Sequence, residues 1–198
     1  MKKLLILINC LILMLSFCTP ALAAEAEEDK VKTKGAYYDI EAPKYETGIA
    51  LLVNADTDTV IYSKNADKIT APASLTKIVT CMLVLENCPD LSVPVTCKRE
   101  SLNGLYAQNA ATAGILPGEA LTIKDLLYCL MLPSAADAAN ILADYVGNGI
   151  DNFVVMMNDF VAELGCKDTK FVNAHGLDAN PNNYTTANDL YKITKYAL

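Results

Sequence analysis

Two residues able to perform nucleophilic chemistry, Ser74 and Lys77, lie close together in the segment APASLTKIVT. Apolar residues recur at helical spacing after Ser74, which predicts an amphipathic helix with Ser74 as its N-cap. Because residues i and i+3 share a helix face, we expect the Ser74 hydroxyl and the Lys77 amine within hydrogen-bonding reach. Burial and the helix N-terminus both lower a lysine pKa, and a neutral amine can activate a serine nucleophile. The motif is short, and a plain N-cap is the alternative role for Ser74.

His175 is the only histidine, and this limits the other hydrolytic mechanisms open to the chain. A Ser-His-Asp triad would have to recruit His175, but the sequence contains no G-x-S-x-G motif. The common zinc peptidase signatures need two histidines. We therefore predict a structural role for His175, in the turn-rich segment NAHGLDANPNN, and we expect no metal and no cofactor.

The amino terminus has the pattern of a secretory signal peptide over residues 1–23, with two lysines, an apolar run and a small-residue cleavage site. Cys18 leaves a lipoprotein as the alternative, although Phe17 beside it suits a lipidation site poorly. Residues 24–46 are charged and aperiodic, which predicts a flexible lead-in. Residues 47–198 are sufficient for one domain with its own core.

The charge balance of the chain is acidic. The formal net charge is −7, and loss of the two lysines with the signal peptide leaves −9. An acidic surface is unfavourable for binding nucleic acid or anionic lipid headgroups, so we expect no nucleic acid partner.

Five cysteines follow the predicted signal peptide, an odd number without paired spacing: Cys81, Cys88, Cys97, Cys129 and Cys166. A disulfide framework normally shows an even count. Cys81 and Cys88 on one helix would be separated by about 10.5 Å of rise, too far for a bridge. We therefore predict buried free thiols.

The hydrophobic pattern predicts a β-hairpin followed mainly by helices, an α+β order. The predicted strands are 48–53 and 60–64. Four helices are predicted to begin at the N-caps Ser74, Thr122, Ser134 and Thr186, and another near Asp151. Residues 87–121, rich in proline and glycine, are predicted to be irregular. Because a two-stranded sheet alone is marginally stable, we expect further strands beyond Leu198.

Three ordered segments resemble the serine-type D-alanyl-D-alanine carboxypeptidases, the low-molecular-weight penicillin-binding proteins of peptidase family S11. The segment NADKITAPASLTKIVT resembles their nucleophile region. The segment PGEALTIKDLLYCLMLPSAADAANILADYV resembles the region of their S-x-N motif, and the segment from Asn158 to Thr194 carries their F-x-N-x-x-G-L and T-A-x-D-L patterns. The resemblance extends over residues 47–198 and implies the penicillin-binding/β-lactamase-like fold, with a helical subdomain beside an antiparallel sheet.

This resemblance implies a catalytic role for three residues and a substrate class. Ser74 would attack the penultimate D-alanine carbonyl of a peptidoglycan stem peptide ending in D-Ala-D-Ala, and Lys77 would be the base. Ser134 would pass a proton to the leaving amine, although Ser134 and Asp137 also have the spacing of a capping box. β-Lactam antibiotics would acylate Ser74. The protein would be exported to the cell envelope or beyond, and would associate with a membrane only through a C-terminal anchor that this chain lacks.

The sequence departs from the family pattern in two places. The asparagine of the S-x-N motif is replaced by Ala136, and no K-T-G motif occurs anywhere in the chain. Since the K-T-G strand supplies a substrate-binding cation and an oxyanion donor in the family, we expect an incomplete catalytic domain, without its C-terminal strands and with weak or no activity. Two alternatives follow: a non-catalytic penicillin-binding remnant, and a class A β-lactamase, which would show an S-D-N motif that is not evident here.

Overall fold

The computed structural model describes residues 46–105, 107, 109–177 and 181–198. The predicted signal peptide and nearly all of the predicted lead-in lie outside the described residues. The strands are β1 (Ala50–Asn54), β2 (Thr59–Lys64), β3 (Pro94–Thr96) and β4 (Ala120–Thr122). The helices are α1 (Thr76–Asn87), α2 (Ile123–Met131), α3 (Ala136–Gly147), α4 (Ile150–Glu163) and α5 (Ala187–Ala197), and 3₁₀ turns occur at Ala73–Leu75 and Arg99–Leu102.

The predicted hairpin is confirmed, because β1 and β2 pair antiparallel with Ala50 opposite Lys64. The register shifts between Leu52 and Val53, as at a β-bulge. In the connecting turn the side-chain carbonyl of Asn54 accepts hydrogen bonds from the next segment of backbone. This Asx-type turn is the local signal that ended the first strand.

The prediction that residues 87–121 are wholly irregular is wrong. Strands β3 and β4 form a second antiparallel pair, with Val95 opposite Leu121. Each strand has three residues, too few to show an alternating pattern, and Pro94 begins β3 where a missing N–H is tolerated. The pairing brings the start of α2 to the segment that follows α1.

The core is built around α3, which packs against α1, α2 and α4. Its fully buried residues include Ala138, Ala139 and Ala143, whose small side chains let the neighbouring helices approach closely. Phe153 and Met157 of α4 fill the opposite side and are 0% exposed. The short connection between α3 and α4 turns at Asn148, which adopts a left-handed conformation (φ 50°).

The predicted N-caps divide into two correct and two wrong. Thr122 and Thr186 each accept a hydrogen bond from the backbone N–H three residues later, as predicted. Ser74 lies inside a 3₁₀ turn, and α1 begins after Leu75 without a side-chain cap. Ser134 precedes the residue flanking α3, Ala135, and does not cap that helix either. Neither serine side chain therefore caps the helix that follows it.

The prediction of buried free thiols is confirmed for the free state of all five cysteines and for the burial of three of them, within the described part of the chain. No disulfide joins the five cysteines, and Cys88, Cys97 and Cys166 are buried, whereas Cys81 and Cys129 are half-buried. Burial raises the pKa of the Cys166 thiol to about 11, so it stays protonated at neutral pH. None of the described helices has the length and apolar character needed to cross a membrane.

Candidate active site

Ser74 lies at the surface, in the 3₁₀ turn that leads directly into α1. The backbone N–H of Leu75 donates to the carbonyl oxygen of Pro72 over 3.1 Å and closes this turn. Ala73 has a positive φ of 47°, uncommon for a residue other than glycine. The turn thus places the Ser74 side chain where a molecule from solvent can reach it.

Lys77 lies one turn further along the same face but inside the molecule, with only 4% of its surface exposed. Its Nζ lies 3.3 Å from the Ser74 Oγ and donates a 2.7 Å hydrogen bond to the carbonyl oxygen of His175. Removal from water lowers the Lys77 pKa below its ordinary value of 10.5. Among the described residues no carboxylate forms an ion pair with this amine to oppose that effect. The predicted proximity of hydroxyl and amine is confirmed.

The segment that contacts Lys77, residues 173–177, also contacts α1 once more and the 3₁₀ turn before it. Thr80, one turn after Lys77, donates from its hydroxyl to the carbonyl oxygen of Ala174 over 2.7 Å. Gly176 packs directly on the turn before Ser74: a Cβ on it would lie 1.7 Å from the carbonyl oxygen of Ala73. Only glycine fits this approach, and its φ of +81° also favours glycine.

Asn173, the asparagine of the F-x-N-x-x-G-L pattern, holds the backbone conformation of this segment. Its side-chain oxygen accepts hydrogen bonds from the backbone N–H groups of His175 and Gly176. Its side-chain NH₂ donates to the carbonyl oxygen of Leu177 over 3.0 Å. The asparagine and glycine of the F-x-N-x-x-G-L pattern therefore turn the backbone so that the carbonyl of His175 faces Lys77.

The imidazole of His175 is buried and has an internal partner, in agreement with the structural role predicted for it. Its Nδ1 accepts a hydrogen bond from the backbone N–H of Leu177 over 3.1 Å. Burial, with a smaller contribution from the charge of Lys77, lowers the pKa of His175 to about 4. The ring is therefore neutral at neutral pH. The backbone carbonyl of this residue contacts the candidate base, and no sequence pattern pointed to that carbonyl.

Ser134 lies in the turn between α2 and α3, half-buried, with a positive φ of 59°. In the described part of the molecule no hydrogen bond connects its hydroxyl to Ser74 or Lys77. The structure therefore brings together two of the three predicted site residues through a direct contact. Across residues 46–198, apart from the five positions not described, no three His, Cys, Asp or Glu side chains cluster as metal ligands would.

The family of this chain is identified by comparison with known proteins. The family model for D-alanyl-D-alanine carboxypeptidases, peptidase family S11, matches residues 37–198. The chain belongs to this D-alanyl-D-alanine carboxypeptidase family. The match includes the turn of Ser74, the whole of α1 and the segment that contacts Lys77.

Relatives and solved structures agree with this assignment. The chain is 30% identical to D-alanyl-D-alanine carboxypeptidase DacF of Bacillus subtilis, over 100% of this chain and 48% of the relative. The crystal structure of the Streptomyces K15 DD-transpeptidase matches with a TM-score of 0.74 and 34% identity, over 80% of this chain and 63% of that one. Penicillin-binding protein 5 of Haemophilus influenzae matches with a TM-score of 0.75 and 26% identity, over 79% and 46%.

These structural matches confirm the predicted fold class, an α+β fold of the penicillin-binding type. The chain spans about half the length of the curated family members that it matches, 48% of the Bacillus protein and 52% of the Streptomyces one.

Proposed function

We propose that this protein is an exported serine D-alanyl-D-alanine carboxypeptidase that acts on peptidoglycan stem peptides in the cell envelope. The observation that carries the proposal is the 3.3 Å separation between the buried Lys77 amine and the exposed Ser74 hydroxyl. Burial lowers the pKa of this amine, so a larger fraction is neutral near neutral pH than for a lysine in water. A neutral amine one hydrogen bond from a hydroxyl is the arrangement that nucleophilic catalysis by serine needs.

The proposed acylation starts from the contact between Lys77 and Ser74, and the part given to Ser134 rests on the family resemblance. Lys77 accepts the proton of the Ser74 hydroxyl while the Ser74 oxygen bonds to the carbonyl carbon of the penultimate D-alanine. The backbone N–H of Ser74 supplies one donor to the oxyanion that forms. When the carbon–nitrogen bond breaks, the proton passes from Lys77 through the Ser134 hydroxyl to the leaving D-alanine amine. Water then hydrolyses the ester, and the proton returns to Ser74. A β-lactam would acylate the same oxygen.

A second candidate is a penicillin-binding protein without turnover, and Ala136 favours it. Ala136 occupies the position of the asparagine in the S-x-N motif, and only 1% of it is exposed. A methyl group there offers substrate no hydrogen bond, and a lost polar contact typically costs about 1–3 kcal/mol. Such a protein would still be acylated at Ser74 but would release little D-alanine.

Labelling by a fluorescent penicillin tests the proposal. Labelling requires only acylation of Ser74, so it survives the weak turnover expected without a K-T-G motif. We expect slow covalent labelling of the wild-type protein and none of Ser74→Ala. Ser92→Ala is the matched control, since Ser92 is an exposed serine whose hydroxyl donates to Asp90 in its own turn, and it should label as the wild-type protein does. Failure of the folded wild-type protein to label would refute the proposal.

Product analysis separates the candidates. Release of D-alanine from a peptide ending in D-Ala-D-Ala supports the carboxypeptidase. Labelling without that release supports the protein without turnover, and rapid regeneration of enzyme with hydrolysed penicillin supports a β-lactamase.

A further inference from the structure

The carboxylate of Asp137 is enclosed near the start of α3, with 2% of the residue exposed. One carboxylate oxygen accepts hydrogen bonds from the backbone N–H groups of Ala113, at 3.0 Å, and Ala138, at 2.9 Å. The other oxygen accepts from the N–H of Ile115 at 3.1 Å. Two of these three donors belong to a segment more than twenty residues earlier in the chain. Asp137 therefore links α3 to this distant segment.

The linked segment, residues 110–116, has no regular secondary structure. It contacts the start of α3 a second time, because the N–H of Ala136 donates to the carbonyl oxygen of Ala111 over 2.8 Å. From the other side, the N–H of Ala135 donates to the carbonyl oxygen of Cys129 in α2 over 3.1 Å. The residues directly after Ser134 are therefore fixed to both α2 and the 110–116 segment.

Ser134 itself has a backbone conformation that is costly for a residue with a side chain. Its φ of 59° lies in the left-handed region, where a residue other than glycine is destabilised by about 1–2 kcal/mol. Such a conformation persists only where surrounding contacts impose it, and it is common at functional sites. The contacts that impose it here are those of the next three residues, and the Asp137 carboxylate accounts for three hydrogen bonds among them.

The chemical type of residue 137 fits this task. A carboxylate has two acceptor oxygens with room for about four hydrogen bonds and no donor, so it can accept all three N–H groups at once. In the described part of the chain no lysine or arginine forms an ion pair with it. The N–H groups and the positive end of α3 therefore provide its stabilisation.

We propose that Asp137 is a positioning residue that holds the hydroxyl of Ser134 in place for proton transfer. This role rests on the proposed function, because it needs Ser134 to act in the reaction. Asp137 contacts no reacting atom and acts only through the turn that carries Ser134.

Replacement of Asp137 by asparagine is the first test. The amide of Asp137→Asn keeps one acceptor oxygen but presents an NH₂ where a second N–H donor must be accepted, so the link to residues 110–116 is weakened. We expect the second-order rate constant for penicillin labelling to fall by about tenfold or more, because misplacing Ser134 removes part of the roughly 10²- to 10⁴-fold that a general acid–base group contributes. The matched control is Asp189→Asn. Asp189 is also buried in the first turn of a helix and accepts from the N–H of Asp168, but it lies in α5. The Asp189→Asn substitution should lower thermal stability and leave the labelling rate nearly unchanged.

A double-mutant cycle separates positioning from general structural support. If Asp137 acts through Ser134, the protein with both Asp137→Asn and Ser134→Ala labels as slowly as Ser134→Ala alone. If each substitution lowers the labelling rate by its own factor and the two factors multiply in the double variant, the proposal is overturned. It is also overturned if Asp137→Asn labels at the wild-type rate. If Asp137→Asn does not fold, the same cycle is run with Asp137→Glu, which keeps both oxygens and displaces them.

The two proposals fail in different ways. A folded wild-type protein that does not label refutes the carboxypeptidase and with it the role of Asp137. If the wild-type protein labels but the effects of Asp137→Asn and Ser134→Ala are independent in the double variant, only the role of Asp137 is refuted.

Discussion

Replacement of Lys77 by methionine separates catalysis from folding, because the two effects differ in size. The variant keeps an unbranched apolar stem in the same buried position but removes the amine that contacts Ser74 and the carbonyl of His175. General base catalysis contributes about 10²- to 10⁴-fold, so the rate of penicillin labelling should fall by that factor. At about 1.4 kcal/mol per factor of ten, this corresponds to about 2.8–5.6 kcal/mol of activation free energy.

The same change should alter the free energy of unfolding much less, because two contributions oppose each other. Loss of the Lys77 hydrogen bonds destabilises the fold by about 0.5–1.5 kcal/mol each. Removal of a buried charge stabilises it by about 1.4 kcal/mol for every unit by which burial lowers the Lys77 pKa. We therefore expect a net change below about 2 kcal/mol by thermal or urea denaturation.

The controls and the pH profile make this reasoning refutable. Lys124→Met removes an exposed lysine of α2 and should leave labelling unchanged. The labelling rate of the wild-type protein should rise with pH and level off at the Lys77 pKa, below 10.5. Lys77→Arg should label as slowly as Lys77→Met, without the rise of rate with pH, since a guanidinium does not deprotonate in proteins. A Lys77→Met protein that labels within threefold of wild type would refute the role of Lys77 as base.

Two further predictions concern the segment that contacts α1. Gly176→Ala places a Cβ 1.7 Å from the carbonyl oxygen of Ala73 and should lower both thermal stability and labelling. Gly165→Ala, with a similar φ of +74° but nothing within 4 Å, should cost only about 1–2 kcal/mol of strain, and equal effects would contradict this argument. Because the folded pKa of His175, about 4, lies below its unfolded value of 6.5, the free energy of unfolding should fall as pH drops through that window, by up to about 3 kcal/mol. Denaturation curves should show a smaller fall for His175→Asn, whose side-chain oxygen can still accept from the backbone, and an equal fall would assign the effect to other groups.

Much of the local structure was predictable because it depends on neighbours in sequence. The helical spacing after Ser74 correctly predicted α1, and Thr122 and Thr186 were correctly predicted as caps, since each bonds to the N–H three residues later. Strands β3 and β4 were missed because three-residue strands carry no pattern, and their pairing joins segments about 25 residues apart. The prediction that Ser74 and Ser134 cap helices was wrong because other contacts hold their turns. The spacing of Ser134 and Asp137 is that of a capping box, whereas the Asp137 carboxylate accepts from N–H groups of a distant segment.

The sequence alone placed a hydroxyl and an amine on one helix face, because residues i and i+3 meet on any helix of that length. It also carried the motifs by which the family could be recognised. Only the tertiary structure decided that the amine is buried while the hydroxyl is exposed. Lys77 is enclosed by a segment 98 residues later, and the carbonyl oxygen of His175 in that segment accepts its hydrogen bond. The pKa of Lys77 depends on that enclosure, because desolvation is a property of the packed fold and not of neighbours along the chain.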